Sequence, residues 1–247
     1  MQERSFLLMG ATGGIGTALG DRLARTGARL TIAGRDEEKL TERAARWNAE
    51  ALVVDARLGD HVDAAVARAV ERFGRLDGAV NLVGSLLLKP AHLTKTDEFE
   101  DVVATNLGSA FHLVRAAARP MREHGGSIVL VSSAVAQTGM VNHEAIAAAK
   151  AGVEGLARSA AATYASNGVR VNCVAPGLVR TPLAERLTRT DKALAASEAL
   201  HPLGRIGEPD DVASAIEYLL DPAHAWVTGQ VLGIDGGLAH VRGRART

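Results

Sequence analysis

The stretch that most limits how this chain can fold is SFLLMGATGGIGTALGDRLARTG, residues 5 to 27. A short apolar run passes straight into Gly10, Gly14 and Gly16, spaced G-x-x-x-G-x-G, and then into a segment with apolar side chains at helical spacing that stops at Gly27. An apolar run without alternation reads as a strand buried on both faces, and the periodic segment as a helix with one face laid on a sheet. A strand that turns through glycines into such a helix is the first half of a crossover, and crossovers join parallel strands.

The rest of the chain repeats the unit. RLTIA, ALVV, GAVNLV, SIVLVS, VRVNCVA and QVLGI read as six further strands, separated by amphipathic stretches such as DHVDAAVARAVERFG, for which Asp60 is the expected N-cap. The expectation is an α/β fold, a doubly wound parallel sheet of seven strands with helices on both faces. With 247 residues, no Ser/Gly linker and no internal repeat, one domain over 1–247 is expected. The one long irregular connection, about 178–208, ends where a helix should start near Pro209 and is expected to be a substrate-facing loop containing short helices.

Composition narrows the partners. Lys plus Arg and Asp plus Glu number 28 each, so no net field favours nucleic acid or an anionic membrane, and neither is expected as a partner. FLLMGA is too short to span a bilayer and lacks a leader pattern, which points to the cytoplasm. Cys173, the single cysteine, sits in an apolar strand and is expected to be buried and inert. Arg242, Arg244 and Arg246 in HVRGRART read as a solvated tail. HEAIA has Ala147 where a zinc motif would repeat histidine, and no metal site is expected.

The glycine turn carries chemistry as well as topology. Without side chains the backbone can approach a pyrophosphate, which the unpaired N–H groups and positive dipole end of the helix attract. Gly10, Thr12, Gly14, Ile15 and Gly16 are the candidate contacts. An NAD site places an acidic side chain at the end of the second strand, whereas here Gly34 ends it and Arg35 follows. That favours NADP(H) over NAD(H), with Arg35 on the 2′-phosphate. Arg35 also reads as an ordinary exposed arginine, with Asp36 as its salt partner or as a helix cap.

Taken in order, these motifs resemble the short-chain dehydrogenase/reductase family over nearly the whole chain. The resemblance implies a Rossmann fold, and it implies roles. Asp55 in DARLGD, with Ala56 beside it, would meet the adenine amino group; NLVG keeps Asn81 and Gly84 but not the family's second Asn. VATNLGSAF carries a structural Asn106, IVLVSS an active-site Ser133, and VAPGLVRTP a Pro176-Gly177 turn that cradles the nicotinamide, with Val179 and Thr181 near its carboxamide. VTGQVLGIDGG resembles the closing strand.

The family's reactive Tyr-x-x-x-Lys falls on Ile146-Ala-Ala-Ala-Lys150, with Ser133 thirteen residues before Ile146. The tyrosine is absent. Residues i and i+4 share a helix face, so an ammonium at Lys150 would acidify a phenol at position 146; isoleucine neither donates nor accepts a proton. Tyr164 lies about 27 Å further along a continuous helix, and Tyr218 belongs to the distant AIEYLL stripe; neither reaches. His143, one turn before Ile146, is the candidate donor, since imidazole titrates near neutrality, and Glu144 can orient it. Both read equally well as capping or solvated residues.

The resemblance implies that Ser133 on the substrate oxygen, Lys150 on the nicotinamide ribose and Asn106 behind the lysine survive the loss of the phenol; each taken alone also reads as a strand-end cap, a surface lysine and a residue satisfying buried backbone, respectively. General acid–base catalysis is worth about 10²–10⁴-fold, so hydride transfer stays open without it. The expectation is an NADP(H)-dependent oxidoreductase acting on a carbonyl or alcohol, its catalytic set Ser133, Lys150, Asn106 and His143 and its partner a small-molecule substrate. The alternatives are a non-catalytic NADP(H)-binding protein or sensor, and a non-redox enzyme such as an isomerase or dehydratase that uses the same pocket. IAAAKAGVEGLARSAAATYA is small enough for close helix approach or for packing on the sheet, and the resemblance implies a homodimer or homotetramer.

Overall fold

The computed structural model describes residues 1–243. Its elements are β1 (Ser5–Met9), α1 (Gly14–Arg25), β2 (Arg29–Gly34), α2 (Glu37–Trp47), β3 (Glu50–Val53), α3 (Gly59–Phe73), β4 (Gly78–Asn81), α4 (Thr96–Val103), α5 (Ser109–Met121), β5 (Gly126–Val131), α6 (Glu144–Tyr164), β6 (Val169–Pro176), α7 (Asp191–Leu200), α8 (Pro209–Leu220) and β7 (Val231–Ile234). The strands form one parallel sheet in the order β3-β2-β1-β4-β5-β6-β7, the expected seven-stranded doubly wound arrangement. From β1 the chain works outward to one edge, then returns to β4 and works toward the other. Successive crossovers therefore diverge at the carboxyl ends of β1 and β4, which opens a crevice there.

The unalternating run in β1 has a physical reason. Phe6 and Leu8 point into a core shared with Leu19 and Leu23 of α1 and Val212, Ile216 and Leu219 of α8. Leu7 and Met9 point the other way, into a core with Val62 and Val66 of α3, Leu113 of α5 and Val153 of α6. Each of these four strand side chains is at most 1% exposed, and burying one stabilises the fold by about 1.5–3 kcal/mol relative to leaving it in water. On the first face Arg22 of α1 reaches Glu217 of α8 at 2.6 Å and Asp210 at 2.9 Å, clamping the two helices side by side.

Several boundaries shift. Asp60 is not the cap of α3: Leu58 holds the N-cap position without a side-chain bond, and Asp60 lies inside the first turn, where its charge faces the helix dipole. GAVNLV pairs only as far as Asn81, because the chain leaves the sheet at Leu82 to line the crevice. Cys173 is fully buried, and burial pushes its thiol up to about 12, as an inert strand residue requires. The alanines of α6 serve packing on one side: Ala145, Ala149, Ala157 and Ala161 are buried within the chain. Arg242 is exposed, and Arg244 and Arg246 lie outside the described residues. No described helix is long and apolar enough to cross a membrane.

Candidate active site

The glycine turn at the end of β1 is shaped so that only glycine fits. Gly10 has φ +82°, and a Cβ there would meet the Leu82 carbonyl carbon at 2.9 Å; one on Gly16 would lie 2.6 Å from the Gly10 oxygen. The α1 N-cap, Gly13, has no side chain with which to cap the first-turn amides. Those of Gly14, Ile15 and Gly16 find no acceptor among the described residues, so the helix presents unsatisfied donors at the crevice. This cradle fits a pyrophosphate.

The far side of the turn faces the ends of β2 and β3. Thr12 lies against Gly34, its Oγ1 3.6 Å from where a Cβ would be. Asp36 is a cap rather than the partner of Arg35: it accepts from the Lys39 amide at 3.1 Å and pairs with the Lys39 ammonium at 2.6 Å. Arg35 is exposed and has no ion pair among the described residues. Asp55 is held by the Arg57 guanidinium at 2.7 Å, which pulls its carboxyl down to about 2. The carbonyl of Ala56, next in line, is 3.1 Å from His112 Nδ1. Arg57 also reaches Asp101 at 3.2 Å, a partner whose distance in sequence hides the pairing.

A cavity of about 370 Å³ occupies the crevice, and it gathers Ile15, Gly84, Asn106, Ser133, His143, Ile146, Lys150, Pro176, Gly177, Val179 and Thr181 from six separate segments. Gly14 closes on the far wall, where its Cβ would meet Thr181 Cγ2 at 2.9 Å. Asn81 lies beneath: its amide donates to Ser109 Oγ at 2.9 Å and accepts from Val83 N at 3.3 Å, fixing the loop after β4 from within. A larger hollow of about 700 Å³ beside Arg4, Arg75 and Trp226 borders none of the sequence-predicted residues.

Lys150 is 7% exposed and donates to Val131 O at 2.8 Å. Desolvation lowers its ammonium to about 8. Asn106 sits in a π-helical stretch, Ala104–Gly108, that joins α4 to α5. The widened turn lets its amide donate to Val102 O at 2.9 Å and Ser85 Oγ at 3.0 Å while its oxygen accepts from Ser85 N at 3.2 Å. A Cβ on Gly84 would stand 3.1 Å from that oxygen and 3.6 Å from Lys150 Nζ, so glycine leaves room for both.

Ser133 Oγ is weakly committed, with Val135 N at 3.4 Å and Pro176 O at 3.5 Å, both at the limit of hydrogen bonding. Its neighbour Ser132 is spent inside the protein, 3.1 Å from Lys150 O and 3.0 Å from Glu154 Oε1. Gln137 donates to the same carboxylate oxygen at 2.9 Å, and its own oxygen meets His240 Nε2 at 2.9 Å. This second layer was missed because its members are scattered along the chain.

His143 is the N-cap residue of α6. Its Nδ1 is 2.7 Å from Val141 O and must carry the proton of that bond, which leaves Nε2 uncommitted. Glu144 makes no hydrogen bond to it among the described residues. Ile146 is 2% exposed and packs with Val102, Ala145, Ala149 and Leu86. Tyr164 ends α6, and Tyr218 stacks on His224 with ring centroids 3.8 Å apart; neither borders the cavity. The expected loop does contain short helices, a 3₁₀ turn at Glu185–Leu187 and α7, and Leu183, Leu187 and Leu200 from it complete an apolar wall with Leu86, Leu88 and Met140.

The family described as enoyl-(acyl carrier protein) reductase matches residues 10–239. A tropinone reductase homologue of Arabidopsis thaliana is 35% identical over 241 residues, covering 95% of this chain and 91% of its own. A short-chain type dehydrogenase/reductase from Mycobacterium ulcerans superposes with a TM-score of 0.93 at 31% identity, over 98% of this chain and 92% of that one. An actinorhodin polyketide ketoreductase variant with NADPH superposes with a TM-score of 0.92 at 31% identity, over 98% and 99% of the two chains.

Proposed function

We propose, from the premise that this chain belongs to the short-chain dehydrogenase/reductase family, that it is an NADP(H)-dependent oxidoreductase interconverting a carbonyl and an alcohol. The observation that carries the reading is the convergence of Ser133, Lys150, Asn106 and His143 on one cavity whose rim includes the glycine turn. Gly10, Thr12, Gly14, Ile15 and Gly16 would hold the pyrophosphate, Asp55 and Ala56 the adenine, and Pro176, Gly177, Val179 and Thr181 the nicotinamide end. The exposed Arg35 at the end of β2 supports NADP(H) over NAD(H), as does the NADPH in the related ketoreductase.

When bound, the nicotinamide supplies or accepts a hydride. The protein does the rest. Ser133, with its hydroxyl barely engaged, donates to the substrate oxygen, and the buried ammonium of Lys150 adds positive potential where negative charge develops. His143 moves the proton. Because Nδ1 is tied to Val141 O, only Nε2 is left to meet the substrate. It donates when the ring is an imidazolium and accepts when the ring is neutral, so carbonyl reduction uses the charged ring and alcohol oxidation the neutral one. Among the described residues the lining of the leucine-rich wall includes no carboxylate and no arginine, which suits an uncharged, apolar substrate.

Ile146 favours a second reading, nucleotide binding without turnover, since a 2% exposed hydrocarbon fills the position the family gives to tyrosine. A panel of apolar ketones, keto acids and alcohols with NADPH and NADH separates the two. Turnover of the apolar ketones with NADPH is the expected result; tight NADPH binding with no turnover of any carbonyl would overturn the first reading in favour of the second. We further propose a homodimer or homotetramer built partly on the outer face of α6, where Ala148, Ala151 and Gly155 are exposed.

A further inference from the structure

We infer that His201 is a positioning residue that latches the substrate-facing segment onto the turn at the end of β6. It rests on the oxidoreductase reading only for what the latch positions. The segment begins just past β6, at Leu178, and ends at Gly207, just before α8, and its two ends meet: Val179 pairs with Gly207 in an isolated parallel bridge, and the Gly207 amide donates to Leu178 O at 2.8 Å. His201 lies between these ends, 3% exposed, on the wall of the cavity.

Its ring uses both nitrogens on backbone. The Leu178 amide donates to Nε2 at 3.2 Å, so Nε2 carries no proton; Nδ1 therefore carries it and donates to Ser197 O at 2.7 Å. Ser197 O is one of the carbonyls left over in the last turn of α7, because the His201 amide bonds to Glu198 O instead. One neutral imidazole thus satisfies an orphan acceptor of the helix and an orphan donor of the turn.

The contact is close as well as bonded. A Cβ on Gly177 would fall 2.7 Å from His201 Nε2, so the turn and the ring fit only because residue 177 has no side chain. From Leu178 the chain runs directly into Val179 and Thr181, which border the cavity. The position of the Leu178 amide sets theirs, and His201 sets the position of that amide.

The test reads the latch without turnover. Arg186, Arg189 and Lys192 are exposed in the segment and are trypsin sites. In nucleotide-free His201→Ala, cleavage there should be about tenfold faster, because a helix-to-turn tie and two buried hydrogen bonds are lost. His201→Gln, which keeps an acceptor at the reach of Nε2, should stay within about threefold of the natural protein. NADPH should bind His201→Ala about tenfold more weakly, while 2′,5′-ADP, which lacks the nicotinamide end, should bind all three alike. In the natural protein, long-range ¹H–¹⁵N correlation spectra should show His201 protonated on Nδ1.

Equal cleavage of the natural and alanine proteins, a glutamine variant as open as the alanine one, or a proton on Nε2 alone would each overturn the latch. Should neither nucleotide bind the natural protein, the oxidoreductase reading fails. The cleavage rates and the tautomer still decide the role of His201; where the alanine variant does not fold, the glutamine variant and the tautomer of the natural protein decide it.

Discussion

Ile146 and Lys150 stand one turn apart on the cavity side of α6, 2% and 7% exposed, so the buried ammonium has a hydrocarbon where a proton donor would couple to it. Ile146→Tyr rebuilds the phenol and should raise reduction of an apolar ketone by about 10²-fold. The larger ring must displace Leu86 or enter the cavity, at a stability cost of about 1–3 kcal/mol. Steady-state rates check it, and no gain in a folded variant counts against the proposed placement of the substrate oxygen.

His143→Ala should lower turnover by about 10²-fold in both directions while leaving NADPH affinity within about twofold, because the ring touches the moving proton rather than the nucleotide. In the natural protein both directions should show a solvent deuterium isotope effect that changes in His143→Ala. An isotope effect that is the same in both proteins excludes His143 from proton transfer.

The buried pair Lys150 and Cys173 predicts a bend in stability against pH for the nucleotide-free protein. Burial lowers the ammonium from 10.5 to about 8, so above pH 8 the unfolded chain binds the extra proton and stability rises. Burial raises the thiol from 9.0 to about 12, so above pH 9 the folded chain keeps a proton the unfolded chain loses, and stability falls. Denaturant titrations should therefore show a net gain of about half a kcal/mol between pH 8 and 9, the thiol already offsetting part of the lysine's rise, and a decline beyond 10.5. Lys150→Met should erase the gain; a rise that survives it belongs to another group.

Arg35→Ala should weaken NADPH by about 10–100-fold and leave NADH nearly unchanged, since only NADPH has a 2′-phosphate for the guanidinium to hold. Calorimetric titration with both nucleotides measures the difference. Equal losses would make Arg35 a general surface charge.

The fold was legible wherever one face of an element repeats. β1 could be read because both of its faces are apolar, and α1 because Leu19 and Leu23 recur on one. The cap of α3 was misplaced at Asp60 because a polar residue at a helix start looks the same at N-cap and inside the first turn, and here a glycine precedes it. The site was legible where spacing carries it, as between Ile146 and Lys150 on one helix. It was not where partners lie far apart in sequence: the Ser132–Glu154–Gln137–His240 chain and the bond from Leu178 to His201 depend on the packing of separate elements. The π-helical turn at Asn106 has no signature of its own in ATNLG.

The meeting of Val179 and Gly207 makes the stretch between them a cassette. Its two attachment points are neighbours, so a longer, shorter or chemically different insert can be grafted there with little added closure entropy and without disturbing the register of the sheet. On the proposed reading, preference for one carbonyl over another can then diverge by exchange of this one insert while the glycine turn after β1 and helix α6 stay as they are.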